Sequence, residues 1–229
     1  MTTTIGLLTF PRVQQLDLTG PYEVFASLPD TQLHLIWKTL TPITSATGLI
    51  LTPTTTLADC PPLDIICIPG GIGINALLTD QTILDFVRTQ AKTARYITSV
   101  CTGALLLGAA GLLTGKRATT HWSAMEFLPA FGAIPTHARV VRDGNLITGG
   151  GVTAGIDFAL TLAAELTDQQ TAESIQLTLE YAPAPPFTAG TPETAPPETL
   201  QTARTRSAAS RAERESIINQ ITAEPASKA

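Results

Sequence analysis

The chain reads Tyr96-Ile-Thr-Ser-Val-Cys101-Thr-Gly-Ala-Leu-Leu-Leu-Gly108 near its middle, and this stretch decides the fold. A β-branched run ends at a cysteine flanked by small residues, and a helix-forming segment begins at once. This order predicts a strand, a sharp turn and a helix, with Cys101 on the turn. The N–H groups and dipole of that helix favour a thiolate. The pattern favours a nucleophilic cysteine, although an inert core position is the commoner fate of a free cysteine.

The surrounding sequence alternates short apolar runs with helix-like segments from residue 4 to about residue 181. Strands are expected at Ile5–Phe10, at Asp64–Ile68 and directly before Cys101, with a more exposed strand at Gly48–Thr56. Continuous apolar strands separated by helices are typical of a mostly parallel sheet covered on both faces. Ligands of such sheets bind at the carboxyl ends of the strands, where residues 11–20, 69–75 and 101–103 form loops.

The composition changes from Ala182 onward, where prolines become frequent. Residues 182–197 read as an extended linker, and Glu198–Ile221 has helical propensity but few apolar residues. We therefore expect an α/β domain over residues 1–185, followed by a proline-rich linker and C-terminal helix over residues 186–229. That helix is expected to pack weakly, either on the body of the chain or on a partner subunit.

Net charge, hydropathy and cysteine spacing exclude several classes of protein. The 229 residues carry a net charge of −5, which argues against nucleic acid or an anionic membrane surface as a partner. No apolar stretch is long enough to span a membrane, and the N-terminus lacks the pattern of a signal peptide. The three cysteines, Cys60, Cys67 and Cys101, follow neither a disulfide framework nor zinc-ligand spacing. These features predict a cytoplasmic protein without a metal site.

Asp17 is a second candidate for chemistry. It lies between two leucines in Val13-Gln-Gln-Leu-Asp-Leu-Thr-Gly-Pro21, where the first predicted strand leads into a helix. Asp17 is either the N-cap of that helix or a carboxyl group lowered into a pocket. If it faces Cys101, burial and the charge of a thiolate would raise its pKa toward neutrality, which suits a group that donates and accepts protons.

Three further positions have a functional and a structural interpretation. Gly70-Gly71 follows a buried strand, so its N–H groups can approach a ligand closely, and one of them is a candidate donor to a developing anion. Thr102 either caps the helix after the elbow or binds substrate through its hydroxyl. His121 is either a base near Cys101 or, beside Trp122, a structural histidine.

Four segments together carry a family resemblance: Ile-Pro-Gly-Gly at 68–71, Ser-Val-Cys-Thr-Gly at 99–103, Ala-Thr-Thr-His-Trp at 118–122 and Gly-Val-Thr-Ala-Gly-Ile-Asp at 151–157. They resemble motifs of the PfpI-like superfamily, and the resemblance covers residues 4–190. It implies a flavodoxin-like three-layer α/β/α sandwich, with a mostly parallel sheet and a cysteine nucleophile elbow.

Two longer segments, at 14–21 and 180–187, are similar to the branch of that superfamily that hydrates isocyanides to N-substituted formamides. The resemblance implies a homodimer without a cofactor that acts on a small isocyanide. It implies Cys101 as nucleophile and Asp17 as general acid/base, with Gly71 and Thr102 as polar contacts to the substrate. Thr102 stands where the protease branch has histidine, and Asp17 stands where the deglycase branch usually has glutamate.

Two other functions stay open from the sequence. One is a glyoxalase- or deglycase-like enzyme that acts on dicarbonyl compounds. The other is a domain that senses oxidation or a ligand through its cysteine, because AraC-type transcription regulators carry a very similar domain. The roughly forty residues after Pro186 are too few and too acidic for the helix-turn-helix module of those regulators, so we expect none here.

Overall fold

The structure, a computed structural model, describes residues 2–223 and contains a seven-stranded sheet with two small two-stranded sheets beside it. The strands are β1 (Thr3–Leu8), β2 (Thr31–Trp37), β3 (Ile43–Thr44), β4 (Ile50–Leu51), β5 (Thr55–Thr56), β6 (Ile65–Ile68), β7 (Tyr96–Val100), β8 (Arg117–Ala118), β9 (Ile134–Pro135), β10 (Val140–Asp143) and β11 (Leu146–Gly149). The helices are α1 (Gln15–Ala26), α2 (Ile74–Leu77), α3 (Gln81–Ala91), α4 (Gly103–Ala109), α5 (Ala154–Leu166), α6 (Gln169–Thr178) and α7 (Pro197–Ala223), with a 3-10 helix at Trp122–Phe131.

The large sheet has the strand order β10-β11-β7-β6-β1-β2-β5. Each pair of neighbours is parallel except β10 and β11, which form a hairpin around Gly144. All four side chains of β6 are buried, as expected of a strand that has helices on both faces. The parallel sheet predicted from the apolar runs is confirmed, and it brings the carboxyl ends of β1, β6 and β7 to one edge.

Helices cover both faces of the sheet. Helices α1, α5 and α6 pack against one another, and a second group consists of α2, α3, α4, α7 and the 3-10 helix. The largest fully buried side chains include Phe10, Phe25 and Phe158, with the last two in edge-to-face contact. The arrangement is the three-layer α/β/α sandwich that the family resemblance implied.

The predicted strand at Gly48–Thr56 is wrong as a single element. The structure has two short strands there: β4 pairs with β3 in a separate hairpin, and β5 pairs with β2 at the edge of the main sheet. Pro53 lies between them, and proline lacks the N–H that a continuous strand needs. The threonine-rich alternation therefore predicted extended backbone but not its continuity.

The C-terminal helix α7 forms as predicted and lies on the body of its own chain. It packs against α2 and the 3-10 helix, where Arg214 and Ile218 are buried. Residues 182–196, which precede it, form no helix or strand. The predicted linker and helix region extends to residue 229, and its last six residues lie outside the described part of the chain. Across residues 2–223, no helix is long and apolar enough to cross a membrane.

Candidate active site

Cys101 lies on the predicted elbow, between the end of β7 and the start of α4. Its backbone is in the left-handed region with φ of 56°, which is uncommon for a non-glycine residue and is typical of a sharp functional turn. The Cys101 N–H donates to the carbonyl oxygens of Gly149 (3.1 Å) and Gly150 (2.8 Å). The Thr120 hydroxyl donates to the Cys101 carbonyl at 2.7 Å. These three hydrogen bonds hold the elbow in its strained conformation.

Asp17 lies in the first turn of α1, and its side chain is fully buried. Because Gln14 is the N-cap of this helix, the alternative that Asp17 caps it is wrong. The carboxyl oxygen Oδ2 accepts the Gly70 N–H at 2.9 Å. The other oxygen, Oδ1, is buried and has no hydrogen-bond partner among the described residues. Such an orphaned polar atom is unusual in a protein core, and it marks the site where a reacting group can be received.

The Asp17 carboxyl and the Cys101 thiol each change the pKa of the other. Burial raises the pKa of Asp17 to about 7, and this value includes the smaller lowering effects of the Cys101 thiol and the Gly70 N–H. Burial and the negative charge of Asp17 raise the pKa of the Cys101 thiol well above its ordinary value, although the Thr102 N–H acts in the opposite direction. The direction of this shift is opposite to the one that the helix start was predicted to cause, and burial of the thiol is its largest cause.

The loop after β6 meets the elbow through glycine backbone. The Gly71 N–H donates to the Thr102 hydroxyl at 3.0 Å, and that hydroxyl donates to the Gly71 carbonyl at 3.3 Å. A Cβ atom on Gly70 would lie 2.5 Å from the Thr102 nitrogen and 2.9 Å from Asp17 Oδ2, so only glycine fits. Thr102 occupies the N-cap position of α4, but its side chain makes no capping hydrogen bond.

These contacts bear on the predicted roles of the loop. The N–H groups of Gly70 and Gly71 are both engaged within the protein, by Asp17 and by Thr102. Neither is free to donate to a developing anion in this structure. The assignment of Gly71 and Thr102 as substrate contacts stays a prediction, and it requires the Thr102 hydroxyl to turn from Gly71 toward the substrate.

His121 has the geometry of a structural histidine rather than of a base near Cys101. Its Nδ1 accepts from the Ser123 N–H at 3.3 Å and lies 2.8 Å from the Ser123 hydroxyl, which places it as the cap of the 3-10 helix. Burial and, to a smaller extent, the positive charge of Arg214 together lower the pKa of His121 to about 4. The imidazole is therefore neutral at neutral pH. No hydrogen bond joins His121 to Cys101.

A cavity of about 690 Å³ lies beside the elbow. Thr120 and Gly150, which both bond to the Cys101 backbone, form part of its wall. The other residues around it are Thr119, His121, Trp122, Met125, His137, Ala138, Arg139, Gly151, Val152 and Thr153, together with residues 190–193. Two histidines, the ion-paired Arg139 and the acid Glu193 thus stand among small and apolar groups, and neither Cys101 nor Asp17 lines the cavity. A small uncharged molecule fits such a space.

Two parts of the site were missed by sequence reasoning. The carbonyl groups of Gly149 and Gly150 and the hydroxyl of Thr120 hold the elbow, yet backbone acceptors leave no signal in a sequence. The second is a buried polar contact between Asn75 on α2 and Arg214 on α7, 139 positions apart in sequence. Asn75 follows the glycine-rich loop directly, which was the one available signal.

A buried carboxyl group and a cysteine on a strand-to-helix elbow, both at the carboxyl ends of a parallel sheet, define an α/β protein with a candidate nucleophilic cysteine. The chain belongs to the DJ-1/PfpI family, whose model matches residues 3–165. That span contains Asp17, the glycine loop and Cys101, and it ends before α7.

Individual relatives agree with this placement. The chain is 66% identical over 206 residues to the isonitrile hydratase of Pseudomonas putida, a match that covers 90% of each protein. It is 32% identical over 167 residues to the HTH-type transcriptional regulator GbdR of Pseudomonas aeruginosa, covering 69% of this chain and 45% of the regulator. Among solved structures, a THiJ/PfpI family protein from Pseudomonas syringae superposes with a TM-score of 0.92 at 45% identity, covering 95% of this chain and 91% of that one.

Proposed function

We propose that this protein is an enzyme that hydrates organic isocyanides to N-substituted formamides at Cys101 and Asp17. One observation carries the proposal: a fully buried carboxyl group with a pKa of about 7 acts on the thiol of a strained elbow cysteine. Such a carboxyl can both accept and donate a proton near neutral pH. In each half of the reaction this group must accept a proton and donate a proton. The high identity to an isonitrile hydratase supports the same assignment.

In the first half of the reaction, sulfur attacks the terminal carbon of the isocyanide. The Asp17 carboxylate takes the thiol proton as the Cys101 sulfur forms a bond to that carbon. Asp17 then delivers the proton to the same carbon, so that the C≡N group becomes the C=N group of a thioimidate bound to Cys101. The raised pKa of the thiol suits this order, because the proton leaves sulfur only when substrate is in place.

In the second half, water releases the product. Asp17, again a carboxylate, removes a proton from a water molecule that attacks the thioimidate carbon, and the electron pair of C=N moves to nitrogen. Nitrogen takes the proton from Asp17. The C–S bond then breaks toward sulfur while the hydroxyl group gives its proton to the Asp17 carboxylate and becomes the carbonyl of the formamide, and Asp17 returns that proton to the Cys101 sulfur. One water is consumed, the thiol is restored, and neither half requires an oxidant, a reductant or a cofactor.

We propose two polar contacts to the substrate, the Thr102 hydroxyl and the Gly71 backbone. The Thr102 hydroxyl and the Gly71 backbone are the polar groups nearest to the elbow on the loop side, and they bond to each other in this structure. An isocyanide is uncharged and rod-like, so it needs few polar partners and fits beside the small and apolar groups of the cavity wall, such as Val152 and Met125.

A spectrophotometric assay with an aryl isocyanide tests the proposed function. Wild type should produce formamide, and Cys101→Ala should produce none. Cys60→Ala is the matched control, since Cys60 is a half-buried cysteine in a loop away from the elbow, and it should retain activity. Absence of turnover by wild type with its thiol shown to be reduced would overturn the proposal in favour of a dicarbonyl substrate or a sensing role.

We also propose that the enzyme is a cytoplasmic homodimer, with an α/β domain over residues 1–185 and a linker and helix after it. Two large apolar side chains, Leu177 and Phe187, are 80% and 78% exposed on the single chain, which suits an interface. All three cysteines are free, which suits a reducing compartment. Light scattering in solution should give twice the chain mass of 24.1 kDa, and a monomer would contradict the dimer.

A further inference from the structure

The carbonyl group of the elbow cysteine is held by a side chain from another part of the chain. The Thr120 hydroxyl donates to the Cys101 carbonyl oxygen at 2.7 Å, and no other donor among the described residues reaches that oxygen. Thr120 is 2% exposed and follows β8, so the contact runs from the loop after that strand to the turn between β7 and α4. A buried carbonyl group therefore depends on one hydroxyl group for its hydrogen bond.

This contact completes the support of an unfavourable backbone conformation. Cys101 has φ of 56°, and a non-glycine residue keeps such an angle only where its surroundings fix it. The peptide group before Cys101 is fixed at its N–H, which donates to the carbonyl oxygens of Gly149 and Gly150. The peptide group after it is fixed at its carbonyl by Thr120. The two hydrogen-bonded peptide groups together set both backbone angles of the elbow residue.

The peptide group that Thr120 holds also carries the Thr102 N–H. A peptide group is planar, and its C=O and N–H bonds point in opposite directions, so a fixed carbonyl fixes the N–H as well. Burial and the negative charge of Asp17 raise the pKa of the Cys101 thiol, whereas hydrogen bonding by the Thr102 N–H lowers it. A hydrogen bond to a peptide carbonyl also polarises the N–H of the same group and makes it a stronger donor. The Thr120 hydroxyl thus acts on the sulfur through one rigid group.

The Thr120 side chain is kept in place by the contacts of its two neighbours. The Thr119 N–H donates to the Thr148 hydroxyl at 2.9 Å, which ties the segment to β11. On the other side, the His121 side chain caps the 3-10 helix. The branched Cβ of threonine also restricts its χ1 angle, so the hydroxyl needs little ordering. The donor to the elbow is therefore in position before any substrate binds.

We propose that Thr120 is a positioning residue for the reaction: its hydroxyl holds the Cys101 carbonyl and thereby keeps the peptide N–H of Thr102 turned toward the reacting sulfur. This role is separate from substrate binding, although Thr120 also lies in the wall of the cavity beside the elbow. The kinetic consequence rests on the proposed function, but the effect on the thiol does not.

Alkylation of Cys101 by iodoacetamide, followed by mass spectrometry of the peptide that contains it, tests this role without any isocyanide. Thr120→Val removes the hydroxyl and should slow alkylation of Cys101 about tenfold, equivalent to a rise of about one unit in the pKa of the thiol. Thr98→Val is the matched control, because it removes a buried hydroxyl of β7 that donates to the Ile66 carbonyl at 3.0 Å, away from the elbow. It should leave the alkylation rate unchanged. Each variant loses one buried hydrogen bond, so both should have a lower Tm, and only the alkylation rate separates them.

Two more variants at position 120 separate the hydroxyl from the size of the side chain. Thr120→Ser keeps the donor and should stay within about threefold of the wild-type alkylation rate. Thr120→Ala covers the case in which Thr120→Val does not fold, because it puts no methyl group where the hydroxyl oxygen now lies 2.7 Å from the Cys101 carbonyl. A folded Thr120→Ala variant that alkylates at the wild-type rate would overturn the role. Faster alkylation would overturn it too, since that result describes an elbow that merely opens.

Kinetics with an aryl isocyanide form the second arm. Thr120→Val should lower kcat about tenfold while KM stays within about threefold, because the hydroxyl acts on the nucleophile and not on the substrate. A rise in KM with unchanged kcat and unchanged alkylation would show that Thr120 binds substrate, and this result would overturn the positioning role. If wild type is alkylated at Cys101 but does not hydrate isocyanides, the proposed function fails, and slower alkylation of Thr120→Val still supports the role of Thr120.

Discussion

Asp17 Oδ2 accepts the backbone N–H of Gly70 at 2.9 Å. This hydrogen bond commits one carboxyl oxygen to the loop after β6 and leaves Oδ1 without a partner among the described residues. The two oxygens therefore differ: Oδ2 fixes the carboxyl group, and Oδ1 is the oxygen that the proposed mechanism uses for proton exchange. A residue larger than glycine at position 70 could not make the contact, because its Cβ would meet both Asp17 and Thr102.

Replacing the carboxyl group by an amide tests its role in proton transfer. Asp17→Asn keeps an oxygen for the Gly70 N–H but cannot accept the thiol proton, so kcat/KM for an isocyanide should fall by about a hundredfold to ten-thousandfold. Asp59→Asn, at an exposed position, is the matched control and should be unaffected. Wild-type activity in Asp17→Asn would show that another group moves the proton.

The same substitution should make the protein more stable in a pH-dependent way. The pKa of Asp17 is raised from 3.8 to about 7 in the folded protein, so between these values the unfolded chain releases a proton that the folded chain retains. The free energy of unfolding of wild type therefore declines as pH rises through this window, and the loss persists above it. Relative to wild type, Asp17→Asn should gain about 2–4 kcal/mol at pH 8 and little at pH 4.

Denaturant unfolding of both proteins at the two pH values measures this difference. A stability gain of the same size at pH 4 and pH 8 would mean that the carboxyl group is not held protonated by burial. A loss at pH 8 would mean that the ionised form is the one the fold stabilises.

The rate of isocyanide hydration should follow the titration of the Asp17–Cys101 pair. The reactive pair carries one proton, so kcat/KM should rise as the first proton leaves near pH 7 and should not fall until the thiol, whose pKa burial raises, loses its own proton. A pH profile from 5 to 10 measures the rise near pH 7. In Asp17→Asn, the rate that remains should show no rise near pH 7. A wild-type profile that is flat between pH 5 and 8 would contradict the assignment.

Gly70→Ala tests whether the close contact between loop and elbow matters. The added Cβ would lie 2.5 Å from the Thr102 nitrogen and 2.7 Å from its hydroxyl oxygen, so the loop must move away from the site. We expect a loss of about 1–3 kcal/mol in the free energy of unfolding and at least a tenfold loss of activity. Chemical denaturation and the isocyanide assay measure the two effects.

Gly144→Ala is the comparison for this variant. Gly144 lies in the β10–β11 turn with φ of 65° and open space around its Cβ position, so alanine there should cost about 1 kcal/mol of stability and no activity. Equal activity losses in the two glycine variants would show that the effect at Gly70 is not local to the site.

The parts of the molecule that follow from local sequence patterns could be predicted. The apolar runs and the β-branched strand before Cys101 place the sheet and the elbow, and the glycines after β6 mark a close approach of backbone. The charge state of Cys101 could not be predicted in the same way. Burial raises the pKa of the Cys101 thiol, and elements distant in sequence produce that burial.

Contacts between elements that are distant in sequence also could not be predicted. Nothing in the composition of α7 distinguishes Arg214 from Arg204 or Arg206, yet only Arg214 of the three is buried. Its partner Asn75 belongs to a helix of four residues, too short to leave a periodic pattern. Tertiary packing alone decides which of these arginines is buried.

Rapid quenching of wild type with an aryl isocyanide, followed by mass spectrometry of the intact chain and its peptides, tests the central claim most directly. The account predicts a transient adduct heavier by the mass of one isocyanide, located on Cys101, that disappears as formamide accumulates. Formamide produced with no adduct at Cys101 at any quench time, and with turnover retained in Cys101→Ala, would contradict it.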